Sequence, residues 1–222
     1  MYWGIFILTM LASWLVSALF KSRMRKFSEI HVSMTGREVA ERMLRENGIT
    51  DVRVTCTGGT LTDHYNPVDR TVNLSQDVYE GANLAAMAVA AHECGHAVQH
   101  AVGYAPLRMR SALVPVVNFS ARWVTWVILA GMLVLQQFPQ LMLFGIAMFA
   151  LTTLFSFITL PVEINASMRA ISWMEESMLV SREDLPKASA ALRSAAYTYV
   201  VAALASLATL LYYIAIYSGN RR

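Results

Sequence analysis

Charge is what this chain has least of. Only 15% of its 222 residues are Asp, Glu, Lys or Arg, while 56% are hydrophobic, and the mean hydropathy is +0.43. That shortage excludes an ordinary soluble domain, in which roughly a quarter of the residues are charged, and points to a membrane protein. Cysteine is also scarce: Cys56 and Cys94 are the two present, which excludes a disulfide framework. The net charge of +3 is small, and the basic residues sit at the ends of apolar runs rather than forming a groove. They read as membrane-topology signals, and a nucleic-acid surface is excluded. No lysine or arginine precedes the first apolar run, and no convincing small-residue cleavage site follows it. It therefore lacks the features of a secretory signal and is expected to be a retained anchor.

What is present is a polar sequence set inside an apolar helix. Ala91-His92-Glu93-Cys94-Gly95-His96-Ala97 contains H-E-x-x-H, and the run from Asn83 to Ala101 is otherwise rich in Leu, Ala, Met and Val. In a helix His92 and His96 lie one turn apart on one face, so both can aim a nitrogen at one ion, with Glu93 beside them. A helix apolar nearly all round is expected to be buried. Two imidazoles and a carboxylate are costly there unless a cation pairs with them. Zinc with one position kept for water, next to a carboxylate able to move that water's proton, is the chemistry of a peptidase. Cys94 falls well away from the histidine face and reads as a small packing residue.

Four apolar stretches surround this motif. Tyr2 to Phe20 is long enough to cross a bilayer, and Lys21, Arg23, Arg25 and Lys26 follow it, which assigns that end to the cytoplasm. A second stretch runs from about Leu113 to Phe138 with Arg122 inside it. A third spans Leu141 to Leu160, and the last runs from about Tyr197 to Tyr217. The expected fold is a mainly α membrane protein with about four transmembrane helices plus a small α+β cytoplasmic domain carrying the H-E-x-x-H helix. Its divisions are an N-terminal transmembrane anchor over 1–20, a cytoplasmic motif-bearing region over 21–112 and a transmembrane hairpin over 113–160. A cytoplasmic helix over 161–196 and a C-terminal transmembrane helix over 197–222 complete the chain. Arg221 and Arg222 run against the charge rule for this orientation. Within the water-facing region a helix is expected from the capping box at Thr35 to about Asn47, stopped by Gly48. Strands are expected at Val52 to Thr57 and Thr71 to Ser75, with turns at Gly58-Gly59 and at Asp63 to Pro67. A short strand beside the motif could hold a substrate backbone by edge pairing or be plain scaffold.

Two histidines leave the ligand set incomplete, and His100, His64, Glu163, Glu175 and Glu176 are the candidates for a third. On a helix from Pro161 to Leu179, Asn165, Arg169, Ser172 and Glu176 share a polar face. Glu163 falls opposite, among Ala166, Ser167, Ala170, Met174 and Ser177. A carboxylate on a face of small residues makes sense where another helix packs closely and brings a cation. Glu163 is favoured on that ground. His100 lies too far round the helix from His92 to close the same shell, and Glu175 competes weakly.

The block at His92 to His96, with Leu61-Thr62-Asp63-His64-Tyr65-Asn66-Pro67 before it and Leu160-Pro161-Val162-Glu163-Ile164-Asn165-Ala166-Ser167 after it, resembles the YugP-type family of bacterial membrane zinc metallopeptidases. The layout is also similar to the HtpX and CAAX prenyl protease group, whose third zinc ligand is a glutamate on a later helix. The resemblance covers nearly the whole chain and implies one zinc ion per chain on His92, His96 and Glu163, with Glu93 as general base. It departs from HtpX in having Asn165 and Ser167 where an acidic residue usually follows the third ligand.

The expected activity is that of a zinc-dependent endopeptidase, gluzincin-like, in the bacterial inner membrane, with its site on the cytoplasmic side. Its partners would be the lipid bilayer and a membrane-associated polypeptide substrate. His64, Tyr65 and Arg169 are open alternatives for an oxyanion-stabilising group. Two rival classes are a zinc-stabilised partner-binding scaffold, against which Glu93 argues, and a transporter. The scarcity of ionisable groups in the later spans argues against the transporter.

Overall fold

A computed structural model describes residues 2–219 of the chain; Arg221 and Arg222, which bear on orientation, lie outside them. The order of elements is α1 (Tyr2–Ser28), α2 (Gly36–Glu46), β1 (Arg53–Thr57), β2 (His64–Asn66), β3 (Thr71–Ser75), α3 (Gln76–Tyr79), α4 (Leu84–Ala101), α5 (Ala105–Leu133), α6 (Pro139–Glu176) and α7 (Leu185–Gly219).

The shorter elements form for local reasons. Thr35 Oγ1 accepts from the Glu38 amide, and Glu38 Oε2 accepts from the Thr35 amide at 2.7 Å, closing the capping box that starts α2. Gly48, at φ 70°, ends it. Val39, Ala40, Met43 and Leu44 recur at helical spacing and are buried against α4. β3 is the centre of a three-stranded sheet, parallel to β1 and antiparallel to β2. The turn expected over Asp63 to Pro67 is instead strand over 64–66, because Tyr65 stands opposite Val72 of β3. The chain reverses just after it, where Asn66 Oδ1 accepts from the Val68 amide at 2.9 Å in an Asx turn. Asp63 then clamps the far end of β3, its carboxylate accepting from the Ser75 amide at 2.7 Å.

Helix α4 is the hub. Asn83 caps it, accepting from the Ala86 amide at 2.9 Å, and it packs against α2, α3, α6, α7, the end of α1 and the sheet. Ala85, Ala88, Ala90, Ala91, Ala97 and Met87 are buried in one core with Val72 and Leu74 of β3 and Met174 of α6.

Among the described residues, four helices are long and apolar enough to cross a membrane: the Ile7–Ser28 part of α1, α5, α6 and α7. They stand side by side, α1 against α7, α7 against α6 and α6 against α5. Much of their apolar surface faces outward, with Trp14, Trp126 and Leu133 among the exposed side chains, as lipid-facing residues would be. The helices run further than the apolar stretches that announce them. α5 begins at Ala105 with Pro106 in its first turn, where the missing N–H costs nothing. α6 passes through Pro161 without a break and ends at Glu176. The third apolar run and the polar segment after it are therefore one helix of 38 residues.

The approach of α6 to α4 depends on Gly95. A Cβ at Gly95 would lie 2.6 Å from the Ala166 carbonyl oxygen and 3.1 Å from its Cα, so a side chain there forces the helices apart. Gly95→Val should therefore lower the thermal unfolding midpoint in detergent by several degrees, for an overpacking cost of about 1–3 kcal/mol. It should also release bound zinc. Gly4→Ala, where a Cβ meets nothing within 4 Å, should leave both unchanged.

Candidate metal centre

His92, Glu93 and His96 lie in the middle of α4, and Glu163 lies on the face of α6 that presses against it. Glu163 Oε2 is 3.3 Å from His92 Nε2 and 3.6 Å from His96 Nε2. One donor atom from each of the three residues falls within 4.8 Å of the others. Donors bound at about 2.1 Å around a tetrahedral cation sit roughly 3.4 Å apart, so these separations fit a zinc ion. The donor chemistry, two imidazoles and one carboxylate, fits as well.

The other ring nitrogens are also engaged. His96 Nδ1 is 3.1 Å from Gln99 Oε1, and His92 Nδ1 is 3.1 Å from Ser167 Oγ. These contacts hold the two imidazoles nearly perpendicular, at 82°, with Nε2 of each turned to Glu163. The second carboxylate oxygen, Glu163 Oε1, is 3.6 Å from Arg110 of α5, and the Tyr199 hydroxyl of α7 interacts with the same carboxylate. Glu163 is only 3% exposed, so it depends on these partners. Glu93 is buried too, and its Oε2 accepts from the backbone amide of Tyr65 in β2 at 3.1 Å. The strand that reads as a turn in the sequence thus touches the carboxylate of the motif.

The remaining candidates go elsewhere. His100 bonds the Tyr65 hydroxyl through Nδ1 at 2.7 Å. His64 is exposed, its Nδ1 against the Thr62 carbonyl, and Glu175 and Glu176 are exposed. Arg169 donates to Asn165 at 2.9 Å; with Ser172 and Glu176 these two line a groove of about 660 Å³ between α2, α4 and α6. Cys94 is fully buried with its thiol toward the Ala40 carbonyl, and burial pushes the thiol far up, so it stays neutral.

Sequence reasoning missed four groups. Gln99 and Ser167 carried a signal, lying three and four residues beyond a ligand on the same helix face. Arg110 and Tyr199 carried none, since nothing local relates α5 or α7 to Glu163.

With this geometry in hand, the class of protein is defined. The chain belongs to the zinc metallopeptidase family described as "Putative neutral zinc metallopeptidase", whose profile matches residues 2–218. It is 41% identical over 203 residues to "Putative membrane protease YugP" of Bacillus subtilis (strain 168), covering 90% of this chain and 89% of that protein. No solved structure is significantly similar to it.

The site also sets a pH dependence. Burial alone would lower the His96 imidazole, but its bond to Glu163 and the charges of Glu93 and Glu163 outweigh that and hold it above its ordinary value. A proton and a cation compete for the same Nε2 lone pair, so zinc affinity should rise with pH and weaken as pH falls through that raised value. The fall should set in above the ordinary imidazole range of about 6.5. Chelator competition between pH 5.5 and 8.5 checks this, and Glu163→Ala should lose the metal at every pH.

Proposed function

We propose that this chain is a membrane-embedded zinc-dependent endopeptidase that hydrolyses peptide bonds in membrane or membrane-associated proteins. The observation that carries the reading is the meeting of His92, His96 and Glu163 at ligand spacing beside the buried carboxylate of Glu93. His92, His96 and Glu163 hold one zinc ion per chain. Zinc supplies Lewis-acid chemistry there, lowering the pKa of a water and polarising the scissile carbonyl.

Glu93 is the general base. Tyr65 N–H occupies its Oε2, which leaves Oε1 to take the proton of the attacking water and pass it to the departing nitrogen. Arg110 engages Glu163 Oε1, which leaves Oε2, the oxygen facing both histidines, as the atom that would hold the ion. Arg110 and the Tyr199 hydroxyl, both beside this carboxylate, supply the oxyanion-stabilising groups the reaction requires. β2 is an edge strand next to α4, suited to holding an extended substrate by backbone pairing.

The location follows from charge and helix length. Lys21, Arg23, Arg25 and Lys26 assign the end of the first span to the cytoplasm of a bacterial inner membrane. Arg23 donates to the Ala190 carbonyl at 3.1 Å, so the start of α7 shares that side. Glu163 lies 24 residues beyond Pro139, about 36 Å along α6 and just past a hydrocarbon core of about 30 Å. The division is then an anchor over 1–20, a cytoplasmic metallopeptidase region over 21–112 and a transmembrane hairpin over 113–160. The ligand-bearing 161–196 segment is cytoplasmic, and 197–222 is the last span. Substrates cut at such a site are membrane-embedded chains near their point of emergence.

Glu93→Gln should keep zinc and lose proteolysis by about 100-fold or more. New N-termini profiled in membranes from cells making either form would check it. If the zinc-loaded forms give identical profiles, the chain is a zinc-stabilised scaffold instead.

A further inference from the structure

Gln99 is fully buried and no step of the proposed reaction uses it, yet all its polar atoms are spoken for. Its Nε2 donates to the Val162 carbonyl at 2.8 Å and to Asn165 Oδ1 at 3.0 Å. Its Oε1 faces His96 Nδ1 at 3.1 Å. The amide orientation follows from the neighbours: Val162 offers only an acceptor, and Asn165 Oδ1 is also the acceptor for Arg169 Nε at 2.9 Å. Nε2 must therefore face α6, which leaves Oε1 for the imidazole. A carbonyl oxygen cannot donate, so His96 carries a hydrogen on Nδ1, and Nε2, toward Glu163, is the nitrogen left to hold an ion.

We propose that Gln99 is a positioning residue that fixes the His96 tautomer and sets the ligand turn of α6 beside it, with Asn165 and Arg169 holding its amide in that sense. Val162 directly precedes Glu163 and Asn165 follows two residues later, so one side chain orients the second ligand and anchors the backbone that carries the third. Arg169 at the end of the row pulls density onto Asn165 Oδ1 and locks it as the acceptor. Arg169 thereby takes a role at the metal centre without reaching it. Both neighbours of the imidazoles, Gln99 and Ser167, are neutral. The Nδ1 atoms of both imidazoles are thus oriented without an added carboxylate.

This proposal rests on the reading of His96 as a zinc ligand, and the test separates the two. Zinc affinity is measured by chelator competition in detergent for wild type, Gln99→Leu, Asn165→Leu and Asn165→Asp, each with a thermal melt. Asn165→Asp keeps the acceptor that Gln99 and Arg169 need and should match wild type. Asn165→Leu and Gln99→Leu should bind zinc about 10- to 100-fold more weakly. In 15N spectra of histidine-labelled, zinc-loaded protein, wild type should show a slowly exchanging His96 Nδ1 hydrogen, and Gln99→Leu should lose or shift that signal. Should Gln99→Leu fail to fold, the two Asn165 variants decide alone. Unchanged affinity in folded Gln99→Leu or Asn165→Leu overturns the proposal, as does an Asn165→Asp as weak as Asn165→Leu. A wild type that binds no zinc overturns the metal-centre reading itself.

Discussion

The structure depends on one demand: a buried carboxylate must meet one buried and one half-buried imidazole across a helix–helix contact. An isolated charge at the depth of Glu163 is untenable. Its two oxygens are therefore divided, Oε2 toward the histidines and Oε1 toward Arg110. Such a meeting needs the α4 and α6 backbones closer than ordinary side chains allow. Gly95 against the Ala166 carbonyl provides that closeness, and the alanines along both helices extend it. The apolar character of α4 is thus what lets it serve as the wall of a polar site.

A second constraint is mechanical. Glu163 stands on a helix whose earlier turns are apolar enough to cross a membrane, and that helix continues through Pro161 to reach it. Arg110 and Tyr199 likewise sit on α5 and α7, both long apolar helices. Three of those four helices thus reach the centre directly, and α1 reaches it through α7 and α4. Packing of the apolar helices and assembly of the centre are therefore coupled.

Local chemistry made much of this legible in the sequence. The capping box at Thr35, the short strand at Thr71–Ser75 and the apolar run that begins at Asn83 each specify their own backbone through nearest neighbours, and all three form as read. Glu163 was legible one level further, because a carboxylate among small residues on a helix face is unfavourable without an incoming partner. The 63–67 stretch was not legible. Asp63, Asn66 and Pro67 favour a turn locally, and only pairing with β3 draws Tyr65 into a strand and its amide to Glu93. The long helices run past the apolar stretches for a related reason. Hydropathy marks where lipid contact stops, whereas the helix continues as long as another protein surface covers it.

By itself the sequence determined that the chain is apolar enough for a membrane, that its motif helix would be buried, and that His92 and His96 share a face with Glu93 alongside. All of these follow from composition or from the 3.6-residue period, which act over a few turns. Tertiary structure alone decided which groups complete the centre. Arg110 and Tyr199 reach Glu163 from helices far away in the chain, and Gln99 turns its amide according to what α6 offers. Such contacts arise from packing between elements, and no local periodicity encodes them.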